Sequence, residues 1–181
     1  MRNTKLFTRA SLTVAGLLAI GGCAGAGKYV DLPMVAPTSV VQINQQLEIP
    51  PELARVYIQN GIHSGKRGLD KWLTYCSVLM QEVNTPGEPL QTVSPGKFEI
   101  SQVREYNDYR YQPRIYASLT RVRYDPPSDV IYTVEMRLQS EQQPGVRALI
   151  CVRHVAAYGR YYPTLAEIRV ALGDVIEINM P

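Results

Sequence analysis

Histidine is nearly missing from this sequence, which holds only His63 and His154. Catalytic and metal schemes built on clustered imidazoles are correspondingly few. The H-E-x-x-H pattern of zinc proteases, the G-x-S-x-G turn of serine hydrolases and the dinucleotide fingerprint are all lacking. No pair of carboxylates is spaced along a helix face like a glycosidase or metalloprotease site. Long hydrophobic runs are lacking too. The apolar stretch over residues 12–20 amounts to about ten residues, where a helix crossing a bilayer takes about twenty. Residues 1–22 have no acidic side chain, yet contain Arg2, Lys5 and Arg9. With those three set aside, the 19 basic residues come down to parity with the 16 acidic ones. The remainder therefore has no global positive field of the kind that holds nucleic acid, and that partner is excluded.

What is present begins with a leader: three basic residues, a short apolar stretch, then small residues. Ile20-Gly21-Gly22-Cys23 follows, an aliphatic residue, two small ones and a cysteine. It resembles the lipobox of bacterial lipoproteins. The resemblance implies cleavage before Cys23 and acylation of its sulfur and its new amino group. Several acyl chains together anchor stably where one binds only marginally. Ala24 stands where an Asp would signal inner-membrane retention in enteric-type bacteria, so the same resemblance favours the outer membrane, on its periplasmic face. Gly22 to Lys28 also fits G-x₄-G-K, but Tyr29 replaces the Ser or Thr of a phosphate loop, and no helix is signalled after it.

Residues 1–22 thus read as a cleaved signal peptide and 23–48 as an acylated cysteine with a flexible tether, punctuated by Pro33 and Pro37; the alternative for its short apolar pieces such as Val40-Val41 is an edge strand, which moves the domain boundary by about ten residues. Residues 49–181 read as one globular domain. About 135 residues bury roughly two-thirds of their unfolded surface, enough for a core without a cofactor. Alternation at every second residue marks strands around Val56 and Ile58, around Cys76 and Val78, at Phe98 and Ile100, and from Val130 to Leu138. Residues 148–155 are apolar on both faces and so belong in the middle of a sheet. Residues 115–124 read as a strand that slips phase at Arg121 and Val122, which suggests a bulge. Thr164 and Glu167 spell the T-x-x-E capping box of a short helix that Gly173 ends, and Val175 to Ile178 close the chain as a strand. The expectation is a mainly β domain, antiparallel sheet or sandwich, with one short C-terminal helix; the alternative is α+β.

Cys76 and Cys151 fall on different strands of the exported part, where oxidation is the default, and are expected to form a disulfide. The competing arrangement is a zinc site adding His63 and His154. It is disfavoured because Cys151 and His154, three apart on a strand, point to opposite faces. His63 sits in a glycine-rich, basic stretch read as a loop. His154 reads as a strand histidine, partly buried and hydrogen-bonded.

One feature of composition points to binding. Arg104, Arg110, Arg114, Arg121 and Arg123 interleave with Tyr106, Tyr109, Tyr111, Tyr116 and Tyr124; Arg153, Tyr158, Arg160, Tyr161 and Tyr162 repeat the theme. Tyr and Arg are enriched at binding hot spots because each combines large area with directional polar groups. The plain alternative is tyrosines packed on a sheet face with arginines laid over them. The candidate surface is Arg104, Tyr109, Arg110, Tyr111, Arg114, Tyr116, Arg121 and Arg123.

Ile49-Pro50-Pro51 with Ala54 to Gly61, Tyr75-Cys76, Ser94 to Phe98, Gln143-Pro144 and Leu165 to Gly173 are similar to stretches of small proteobacterial lipoproteins. That family carries no assigned activity, so the resemblance adds an address and no chemistry. The expected function is a non-enzymatic binding or structural module of the cell envelope, held to the membrane by lipid. Its partner would be another envelope protein, peptidoglycan or lipid headgroups, with no cofactor. The alternative is a periplasmic hydrolase acting on envelope polymers.

Overall fold

A computed structural model of the chain describes residues 35–87, 89–110, 129–156 and 162–181, with Tyr109, Arg110 and Asp129 described by their backbone alone. The first strands are β1 (Val40–Ile43), β2 (Leu47–Glu48), β3 (Arg55–Gln59) and β4 (Ile62–Ser64). Then come β5 (Tyr75–Met80), β6 (Thr92–Val93) and the longer β7 (Gly96–Arg110), β8 (Asp129–Gln139) and β9 (Val146–Ala156). Helix α1 (Leu165–Leu172) and β10 (Ile176–Asn179) complete the domain. Eight strands pair antiparallel in the order β10-β1-β7-β8-β9-β5-β3-β4, and β2 and β6 form a separate ribbon. The mainly β expectation with one short helix holds; the sheet is single, not a sandwich.

Alternation puts the apolar phase of each strand on one face. Val41, Ile58, Val78, Phe98, Met136, Leu149 and Ile176 are fully or almost fully buried there, with Ile168, Ala171 and Leu172 of α1. The helix touches β10 near one edge of the sheet and β3 and β5 near the other. Six strand spacings separate β10 from β3 in the sheet order, roughly 29 Å if flat, against a helix about 10–12 Å wide. The sheet therefore curls around the helix, and the apolar face lines the inside of the curl.

The helix begins as the capping box dictates. Thr164 Oγ1 accepts from the Glu167 amide at 3.2 Å, and Glu167 Oε2 accepts from the Thr164 amide at 2.8 Å. Such a short helix is unstable alone, so packing of Ile168 and Leu172 onto the sheet sustains it.

Two expectations need correction. The tether does not extend to residue 48: the strand alternative at Val40-Val41 holds, though inside the sheet and not at its edge, because Val40–Ile43 is paired on both sides, with Val41 and Ile43 fully buried. Pro37, which looked like a strand breaker, lies ahead of the strand, so the apolar residues are free to pair. The stretch around His63 is partly strand. Asn60 and Gly61, with φ of 53° and 74°, make a two-residue hairpin turn into β4, the left-handed geometry that Asn-Gly favours. Beyond the strand marked by Phe98 and Ile100, β7 continues through residue 110; residues 104–108 are exposed, and their polar composition carries no hydrophobic alternation. The strand expected over residues 115–124 lies outside the described residues.

Candidate functional site

Cys76 and Cys151 stand directly opposite each other on β5 and β9, bonded, with Cα atoms 4.0 Å apart and both side chains fully buried. The disulfide staples the middle of the sheet on its inner face. Both thiolates that a zinc centre would require are consumed in it.

The opposite, outer face carries the polar phase of the same strands. Register places Arg55 and Tyr57 of β3, Tyr75 and Ser77 of β5, and Ile150, Val152 and His154 of β9 on this side. Thr133, Glu135 and Arg137 of β8 and Arg104 and Tyr106 of β7 continue it. The centre is a floor of small or apolar residues, with Ser77, Ala148, Thr133 and Ile150 buried. Larger side chains stand around that floor. The Tyr57 and Tyr75 rings lie 6.2 Å apart, Tyr75 and His154 another 6.2 Å, and the Tyr75 hydroxyl sits 3.4 Å from His154 Nε2. His154 is thus a hydrogen-bonded strand histidine, as its context suggested, and is buried where partial burial was expected. His63 lies exposed on the edge strand β4.

Tyr106, 44% exposed, donates its phenol proton to the Glu135 carboxylate. Its pKa is raised, first by partial burial, then by the charge of Glu135 and by that hydrogen bond, while Arg55 pulls it back down. Arg55 and Tyr106 belong to strands four places apart in the sheet order, roughly 19 Å between backbones in a flat sheet. The charge of Arg55 is nonetheless felt at the Tyr106 phenol. Glu135 also meets Arg137, with 3.6 Å between Oε1 and Nε. The result is a face of arginines and tyrosines with one central carboxylate, suited to a ligand offering acidic and flat groups together.

The predicted surface joins this face only in part. Arg104 is exposed on it, in register with Glu135. Tyr109 and Arg110 end β7, paired with Val130 and Asp129. Tyr111, Arg114, Tyr116, Arg121 and Arg123, like Cys23, lie outside the described residues. Arg55, Tyr57 and Tyr75 were not anticipated as members. The available signal was the alternation itself: once one phase of a strand is core, its other phase shares a face with the polar phase of every neighbour.

The second Arg/Tyr group divides differently. Arg153 forms an ion pair with Glu167 of α1, and Tyr162 packs edge-on against Tyr132, centroids 5.1 Å apart, on the inner side. Those two are structural. Tyr158, Arg160 and Tyr161 lie outside the described residues.

Hollows indent the described surface. One, about 410 Å³, opens where bulges in β7 and β9 bring Ser101 and Arg147 beside Gln102 and Arg137. Another, about 260 Å³ and mainly apolar, lies between α1 and residues 72–74. No protein-family model matches the chain, and neither curated proteins nor solved structures return a match.

Proposed function

We propose that this chain is an acylated lipoprotein, anchored through Cys23 in the outer membrane and facing the periplasm. Its β domain binds another component of the cell envelope through the outer face of its sheet, without catalysing a reaction. The observation that carries the reading is the gathering of Arg55, Tyr57, Tyr75, Arg104 and Tyr106 on one sheet face. The fully buried disulfide suits an oxidising compartment, and the lipobox-like Cys23 supplies the anchor.

The test is crosslinking in intact envelopes followed by capture of the tagged protein, comparing the natural chain with Arg55→Glu and Arg104→Glu. Loss of the captured partner is the expected result. An unchanged partner set in folded variants removes this face from consideration.

A rival reading as a periplasmic hydrolase has one arrangement in its favour, the Tyr75–His154 pair. Acid–base chemistry there requires His154→Ala to slow the turnover of labelled envelope polymer while leaving capture of the partner intact.

A further inference from the structure

Away from the outer face, a second surface combines apolar and basic groups. Trp72 is 50% exposed, Leu73 49% and Val170 67%. All three line the apolar groove beside α1. Val170 projects outward because Ile168, Ala171 and Leu172 occupy the buried side of the helix. The loop that presents Trp72 is held in place. Gln59 donates to the Asp70 carbonyl and accepts from the Asp70 amide, each at 2.9 Å, and Asp70 Oδ1 accepts from the Trp72 amide at 2.9 Å. An exposed tryptophan held on a pinned loop is a presented group.

Its surroundings are basic. Lys66, Arg67 and Lys71 are exposed on the same loop, and the Lys71 ammonium stands 4.5 Å from the Trp72 ring centroid. Of the neighbouring carboxylates, Asp70 is engaged with the Trp72 amide and Glu167 is paired with Arg153. Lys66, Arg67 and Lys71 outnumber Asp70 on the loop, which is therefore net positive, although the chain beyond its leader is balanced.

We infer that this corner is where the domain rests on an anionic lipid leaflet. Trp72, Leu73 and Val170 enter the boundary between headgroups and acyl chains, and Lys66 and Arg67 lie against lipid phosphates. The inference rests on the anchored reading above. Tryptophan suits that boundary because one edge is apolar and the other carries a hydrogen-bond donor. Each basic residue beside an anionic surface strengthens association about fivefold at low salt. A protein partner fits less well, since three exposed side chains fall far short of the roughly 800 Å² per partner that a stable interface buries. A weak contact suffices once acyl chains hold the domain near the leaflet, because tethering raises its effective concentration. Docked this way, the domain keeps its Arg/Tyr face available.

Trp72 is the only tryptophan in the sequence, so its fluorescence reports this corner directly. Acylated protein purified from its host is reconstituted into vesicles containing bromine-labelled acyl chains, either neutral phosphatidylcholine or mixed with phosphatidylglycerol. The protein is expected to float with both, with Trp72 emission quenched about twofold or more in the anionic vesicles. The quenching is expected to weaken in high salt, in Lys66→Glu with Arg67→Glu, and in Leu73→Ser with Val170→Ser. Protein that floats with vesicles but shows unquenched emission overturns the docking and leaves the anchor standing. Quenching that neither set of substitutions relieves also overturns it. So does shielding of Trp72 that appears only when envelope proteins are added, which would assign the groove to a protein. Failure to float at all removes the anchor, and the docking with it.

Discussion

Gly61 and Gly173 touch: a β-carbon placed on Gly173 would stand 2.6 Å from the Gly61 Cα. One glycine turns the β3–β4 hairpin and the other ends α1. The Gly61 amide donates to the Ala171 carbonyl at 3.1 Å, so the hairpin turn satisfies one of the helix's unpaired C-terminal acceptors. At Gly173, φ of 55° with ψ of −140° is a conformation that favours glycine. The edge of the sheet and the end of the helix are thus joined where Gly173 has no room for a side chain.

The two glycines are therefore unequal under substitution. Gly173→Ala meets backbone that cannot yield cheaply, and is expected to cost more than about 2 kcal/mol. Gly61→Ala gains only an ordinary 3.5 Å contact and bears a left-handed penalty of about 1 kcal/mol. Urea unfolding of both variants checks the order; equal losses would show that the contact between them is unimportant.

Breaking the Cys76–Cys151 bond removes the closure of a loop spanning 75 residues. The chain-entropy model puts that near 4 kcal/mol. Cys76→Ser with Cys151→Ser should shift the denaturant midpoint accordingly. Because both sulfurs are fully buried, the natural protein should resist reductant until it is partly unfolded. Rapid reduction of the folded protein would contradict that burial.

Glu167 serves two partners with its two oxygens, Arg153 through Oε1 and Thr164 through Oε2. Glu167→Ala should cost roughly 1–2 kcal/mol, and Thr164→Ala about 1 kcal/mol. The double variant should lose less than the sum, because both changes break the same cap. Additive losses in a double-mutant cycle would separate the two.

Tyr106 has its proton held above the ordinary tyrosine range. The folded state therefore binds that proton more tightly than the unfolded chain. The stabilisation is fully present below the ordinary value of 10.0 and declines as pH rises through the raised one. Glu135→Gln should lower the Tyr106 pKa toward its ordinary value, and Arg55→Gln should raise it further. NMR titration of ring-labelled tyrosine reads both. If Arg55→Gln has no effect, the two side chains do not sense each other across the face.

Local chemistry was readable in advance wherever neighbouring residues settle it. The capping box at Thr164 and Glu167, the stop at Gly173 and the buried phase of Val130 to Leu138 depend on hydrogen bonds or alternation within a few residues. Residues apolar on both faces marked β9 as interior, and β8 and β5 do flank it. The Asn60-Gly61 turn was equally local and was missed, because the glycines around it suggested an unstructured loop.

Other features have no local cause. The apolar pair Val40-Val41 hinted at an edge strand, but pairing of β1 between β10 and β7 joins residues from opposite ends of the domain, so its place inside the sheet has no local cause. Polar residues in β7 obey no hydrophobic rhythm, and their strand exists because β8 offers a partner along its length. The Arg/Tyr face likewise assembles from β3, β5, β7, β8 and β9. Spacing along one strand told which side chains share a side, but the order in which strands meet follows from burying every apolar phase around one helix. That requirement is met only by the folded chain as a whole.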